Sequence, residues 1–117
     1  MVRGLYYHEG IGHMTKNNRP FNELTNKQME ILDCLAEECA EVIMAIAKIK
    51  RHGLHNHHPD NKTTDNKNEL EREIGDVLAL IGMTDIVLEL DSNFIEHWAK
   101  TKPERMERWL HHYKETS

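Results

Sequence analysis

The sequence predicts an all-α fold, and three observations carry the prediction. Two long stretches have apolar residues recurring three and four apart, capping patterns stand where helices should start, and no alternating run rich in Val, Ile and aromatics suggests a strand. In 117 residues this describes one helical domain over residues 21–117. Residues 1–20 carry Gly4, Gly10, Gly12 and Pro20 without periodicity and read as an arm or loop outside the core.

The first long helix should open at Thr25. Thr25-Asn26-Lys27-Gln28 has the form of a capping box, with Leu24 and Met29 at the positions of a hydrophobic staple. Leu32, Leu35, Cys39, Val42, Ile46 and Ile49 form its expected seam, widened by Ala36, Ala40 and Ala47. Gly53 stops it after His52. Leu54 to Asn68 is polar, with Pro59 and several Asn and His residues, and reads as a long loop. The second helix begins near Asn66 or Lys67 and continues to about Leu90, with Leu70, Ile74, Val77, Ile81 and Leu88 as its seam. Gly75 and Gly82 lie inside it and imply the close approach of another backbone or of a substrate. After a break at Asp91-Ser92-Asn93, a short helix to about Lys100 is expected. Thr101-Lys102-Pro103-Glu104 then opens a last one with Met106, Trp109, Leu110 and Tyr113. Two long and two short helices bury little by themselves, so the bundle is expected to be completed by oligomerisation.

Composition excludes several function classes. Twenty acidic against fifteen basic residues leave a net charge of −5, which argues against a sequence-independent grip on a nucleic-acid backbone. No apolar run approaches the ~18 residues of a membrane span, and the N-terminus lacks the hydrophobic stretch of a signal peptide. Cys34 and Cys39 read as reduced core residues. The expectation is a cytoplasmic protein.

The chemistry lies in carboxylates. Glu37, Glu38 and Glu41 stand on the first long helix, and Glu73 and Asp76 on the second. Residues i and i+3 are about 60° apart around a helix, close enough for two carboxylates to share a cation. Glu38 with Glu41, and Glu73 with Asp76, make two such pairs, each on one edge of its own seam, and antiparallel packing can merge them. Clustered anions repel one another and need a counter-charge. All-oxygen ligands favour Mg²⁺, with Mn²⁺ as a substitute, over Zn²⁺. The Glu-x-x-His element of di-iron bundles is absent from the sequence. The competing reading is a solvated acidic face, which fits less well because the positions four residues after Glu37, Glu38 and Glu41 hold no cation.

At Glu37-Glu38-Cys39-Ala40-Glu41 and Glu73-Ile74-Gly75-Asp76 the chain resembles the MazG-like, all-α nucleoside triphosphate pyrophosphohydrolases, whose signature is EExxE on one helix and ExxD on the next. The likeness covers about residues 25 to 90. Lys48-Ile49-Lys50-Arg51-His52-Gly53 and Arg108-Trp109-Leu110-His111-His112 are similar to a small single-domain branch found in phages and bacteria. With 31 residues between Glu41 and Glu73, the spacing is long for the pattern, and the excess falls in the His-rich loop. The resemblance implies that Glu38, Glu41, Glu73 and Asp76 bind Mg²⁺ and that Glu37 orients or deprotonates the attacking water. The implied reaction turns a (deoxy)nucleoside triphosphate into the monophosphate and pyrophosphate in a homodimer or homotetramer. A purine such as dGTP is the first substrate expected, with dUTPase-like, dCTPase-like or broad housecleaning activity as alternatives.

Further cations must hold phosphates that metal does not reach. Lys48, two turns beyond Glu41 on nearly the same face, is the first candidate and Arg51 the second. Lys100, Lys102, Arg105 and Arg108 form a basic cluster that could reach a neighbouring subunit's site. His52, His55, His57 and His58 lack the Cys and the spacing of a zinc site and read as a lid or solvated loop. Trp98, Trp109 and Tyr113 suit core or interface packing better than base stacking. From a different class, a non-catalytic helical interaction module remains the alternative to an enzyme.

Overall fold

In the computed structural model, which describes residues 21–116, Thr25 starts the first helix as its local chemistry demands. Its hydroxyl accepts from the Gln28 N–H at 3.1 Å while the Gln28 side chain accepts from the Thr25 N–H at 2.9 Å. The helix α1 runs over Asn26–His52, and Gly53 ends it at φ 97, a conformation that suits glycine, with its N–H donating to the Ile49 carbonyl. The arm expected over residues 1–20 lies outside the described residues.

Helix α2 covers Asn66–Leu88. Its cap is Asp65, which accepts from the Asn68 N–H at 2.9 Å while the Asn68 side chain returns the bond. The loop over 53–65 folds back on this helix end. The N–H groups of Asn66 and Lys67, orphans of a first turn, donate to the carbonyls of Asn56 and Leu54 at 2.8 and 2.9 Å, and the Asn66 amide donates to the Gly53 carbonyl at 2.9 Å. Glu89 terminates α2 in the left-handed region at φ 54.

Helices α1 and α2 pack along their lengths as an antiparallel hairpin, and the faces that meet differ from the expected seams. On α1 the inward residues are Ile31, Leu35, Glu38, Val42, Ala45 and Ile49, while Cys39 and Ile46 are exposed. On α2 they are Leu70, Glu73, Val77, Leu80, Thr84 and Val87, while Ile74 and Ile81 are exposed. Each seam keeps the three-four alternation but contains a glutamate. Cys34 and Cys39 are free, as expected, yet exposed rather than in a core, because both stand off the α2-facing stripe.

Helix α3 spans Ser92–Met106, capped by Asp91, and a 3-10 turn follows over Glu107–Trp109. The break expected at Thr101 does not occur. Thr101 turns its hydroxyl backward to donate to the Trp98 carbonyl at 3.3 Å instead of capping a new helix, and the Arg105 guanidinium donates to the same carbonyl at 2.9 Å. These bonds support the helix where Pro103 withholds its N–H.

Beyond its connection, α3 hardly touches the hairpin. Among the described residues only Ile31, Ala45 and Thr84 are buried. Trp98, Trp109 and Tyr113 are exposed, so they form no core among the described residues. Around Gly75 and Gly82 a Cβ would meet nothing within 4 Å; the close packing expected there is not made among the described residues.

Candidate metal centre and loop cavity

The antiparallel seam carries the acids to one place. Glu38, Glu73 and Asp76 each direct a carboxylate oxygen so that the three oxygens lie within 4.8 Å of one another. Glu73 is the most enclosed, its side chain 12 % exposed and its second partner the Arg72 guanidinium at 3.3 Å. Partial burial pushes the Glu38 carboxyl above its ordinary value, and the charges of Asp76, Glu73, Glu37 and Glu41 push it further in that order. The trio is a concentration of negative charge.

The donor set fits a hard divalent cation. An octahedral ion with ~2.1 Å bonds holds its ligand oxygens about 3 to 4.2 Å apart, within small side-chain adjustments of the observed cluster. Among the described residues no His or Cys group gathers in this way. Of the four histidines, His52 ends α1 and the other three lie in the loop, with His55 paired to Asp65 at 3.1 Å and His58 taking the Asp60 N–H on its Nδ1 at 3.1 Å.

Other sequence-selected residues lie outside the trio. Glu41, half-buried, stands one turn along α1, outside the trio but close enough to act on Glu38. Glu37 is exposed and lines a shallow depression with Asp33 and Cys34. Lys48 and Arg51 line a cavity of about 840 Å³ between the end of α1, the start of α2 and the His-rich loop. Lys100 pairs with Glu96 at 3.5 Å, and the Arg105 guanidinium lies over the Trp98 ring at 4.6 Å. With Lys102 and Arg108 these cations belong to α3 and the turn after it, away from the hairpin's acids.

Sequence reasoning missed the loop cavity's other walls. His52, His57 and His58 line it, together with Asn56 and Asn66. The signal was present in the pairing that the loop makes with α2: Asp65 as a cap and Asn66 as a bridge to Gly53.

Along α1 come Glu38, Glu41, Lys48 and Arg51 in turn, and antiparallel to them along α2 come Asp76, Glu73 and Glu69. Lys48, acting on Glu69 with Arg72 and Thr64, marks the register between them. No helix among the described residues is long and apolar enough to cross a membrane. Neither the curated proteins nor the solved structures supply a significant match to the chain. The profile of the MazG nucleotide pyrophosphohydrolase domain matches residues 26–98, the whole hairpin and the start of α3. On that match the chain belongs to the MazG nucleotide pyrophosphohydrolase family.

Proposed function

We propose that the protein hydrolyses a (deoxy)nucleoside triphosphate to the monophosphate and pyrophosphate, with Mg²⁺ held by Glu38, Glu73 and Asp76 and completed by Glu41. The observation that supports this reading is the convergence of three carboxylate oxygens from two helices within 4.8 Å. When bound, Mg²⁺ would neutralise phosphate charge and acidify a bound water.

The chain's own residues have distinct roles. Glu37 accepts the proton of the attacking water, whose oxygen joins one phosphorus of the α–β bridge as that bridge breaks; the bond's electron pair leaves on the bridging oxygen, which stays with the other phosphorus. Lys48 and Arg51 hold the phosphates beyond the acids as charge-assisted donors. Substrate is met in the cytoplasm, with dGTP the first nucleotide to test and dUTP and dCTP next.

Assembly completes the site. The outer faces of the hairpin carry Ile43, Met44, Leu78 and Ile86, the last 79 % exposed, and α3 adds Phe94. Patches of this kind mark protein interfaces. A homodimer or homotetramer covers them as a helical bundle, lets a second backbone meet Gly75 and Gly82, and brings Lys100, Lys102 and Arg105 toward a neighbour's acids.

The test is pyrophosphate release from a nucleotide panel with Mg²⁺ or Mn²⁺. Glu41→Gln and Asp76→Asn should each abolish turnover while helical content and oligomer size stay unchanged. Near-wild-type turnover in both variants would remove these ligands from the mechanism, and no release from any nucleotide would favour an interaction module.

A further inference from the structure

The face of α1 turned away from α2 is apolar in its middle and oppositely charged at its two ends. Ala36, Ala40, Ile43 and Ala47 alternate four and three apart along it, the spacing of a knobs-into-holes seam. Ile43 is 66 % exposed, and Met44 beside it 56 %. Three of the four seam residues are alanines, so a second helix can approach to about 8 Å. At about 100° per residue, Asp33, Glu37 and Arg51 fall on one flank of this seam, the acids toward the start of the helix and the arginine at its end. Asp33 and Arg51 are exposed and, among the described residues, have neither a hydrogen bond nor an ion pair.

Such a face matches itself when turned end for end. A twofold axis at the level of Val42, perpendicular to two antiparallel copies of α1, brings like flanks together. It sets Ala40 against Met44 and puts Arg51 of each copy opposite Asp33 of the other, about 14 Å from the axis. Helix α2 offers no such match. Its outer face carries exposed Leu78 and Ile86, but its two cations are spent inside the helix, Lys67 on Glu71 at 2.6 Å and Arg72 on Glu69 and Glu73. The helix dipole does not account for the α1 pattern either. It favours the basic last turn, but the first turn holds no acid and Asp33 lies beyond the dipole's reach.

We propose that the outer face of α1 binds the same face of a second copy, antiparallel, with Ala36, Ala40, Ile43 and Ala47 as the seam and an Asp33–Arg51 ion pair at each end. The assignment rests on the assembly reading above and gives it a face and a direction. It also carries Arg51 of one copy to the end of the other's α1 that holds Glu37, one turn from Asp33. Each set of acids then has a cation from the neighbouring subunit beside it.

Sedimentation equilibrium of the full chain, without metal or nucleotide, tests the pairing. Asp33→Arg and Arg51→Asp each place like charges at both ends of the seam and should weaken association about tenfold or more. The double exchange should recover most of the wild-type affinity. Lys62→Asp makes the same change in net charge as Arg51→Asp, on an exposed loop residue off this face, and should leave association unchanged. Circular dichroism on each variant separates a lost contact from a lost fold, and single exchanges that lose helix should regain it in the double. Association that is unaltered by both single exchanges, weakened as much by Lys62→Asp, or not recovered in the double variant overturns this face while leaving oligomerisation and the hydrolase reading intact. A wild type that stays monomeric at every concentration overturns the assembly altogether.

Discussion

Glu38 and Glu73 occupy positions between two helices that an ordinary hairpin would fill with leucine. Their neighbours along the seam are Leu35 and Val42 on one side and Leu70 and Val77 on the other. Like charges gathered there oppose one another in the metal-free fold: partial burial, then the carboxylates of Asp76 and Glu73, push the Glu38 carboxyl upward. Glu73→Leu should therefore raise the melting temperature of the metal-free protein and remove its stabilisation by Mg²⁺, both readable in a thermal scan. Asp65 shows the opposite electrostatics. The Asn68 N–H, followed by His55, holds its carboxyl below the ordinary carboxylate range, so its stabilisation is present at neutral pH and disappears as pH falls through the lowered value. Asp65→Asn should melt earlier than wild type at neutral pH, and the gap should close in acid. A gap that persists unchanged at low pH would contradict the assignment of that cap.

At the scale of the element, Thr25 and Gly53 made both ends of α1 legible, because a capping box and a terminal glycine are local chemistry that tertiary contacts rarely override. Thr25→Ala should cost about 1 kcal/mol, measured by denaturant unfolding. The faces were harder to read. Following apolar residues alone selected Cys39 and Ile46 on α1 and Ile74 and Ile81 on α2, whereas the buried stripe runs through Glu38, Ala45, Glu73 and Thr84. Each helix has two apolar stripes, and a rule that counts hydrophobic side chains cannot tell which one meets α2 within the chain. The acids were legible as i, i+3 pairs, but their membership of the seam was not. Thr101 misled for a different reason: its hydroxyl can donate backward to the Trp98 carbonyl as well as accept forward, and only the folded helix shows which it does.

Among the described residues, large apolar side chains are exposed on all three helices. Exposed Ile43 and Met44 on α1, Leu78 and Ile86 on α2, and Phe94 and Trp98 on α3 leave a hairpin with almost no core of its own. Leu78→Glu with Ile86→Glu should shift the protein to smaller species in light scattering and lower its helical signal. An unchanged mass would show that these faces are not the subunit contact. Where these faces are the subunit contact, stability and assembly are one quantity, and the melting temperature should rise with protein concentration.

The account depends on two helices aiming their acids at one ion. Titration with Mn²⁺, followed by the loss of its free paramagnetic signal, measures this directly in wild type, Glu38→Gln and Glu73→Gln. The expected result is a tight site in wild type that is lost in both variants although each keeps its helical content. Equal Mn²⁺ affinity in all three proteins would mean that α1 and α2 do not share a metal.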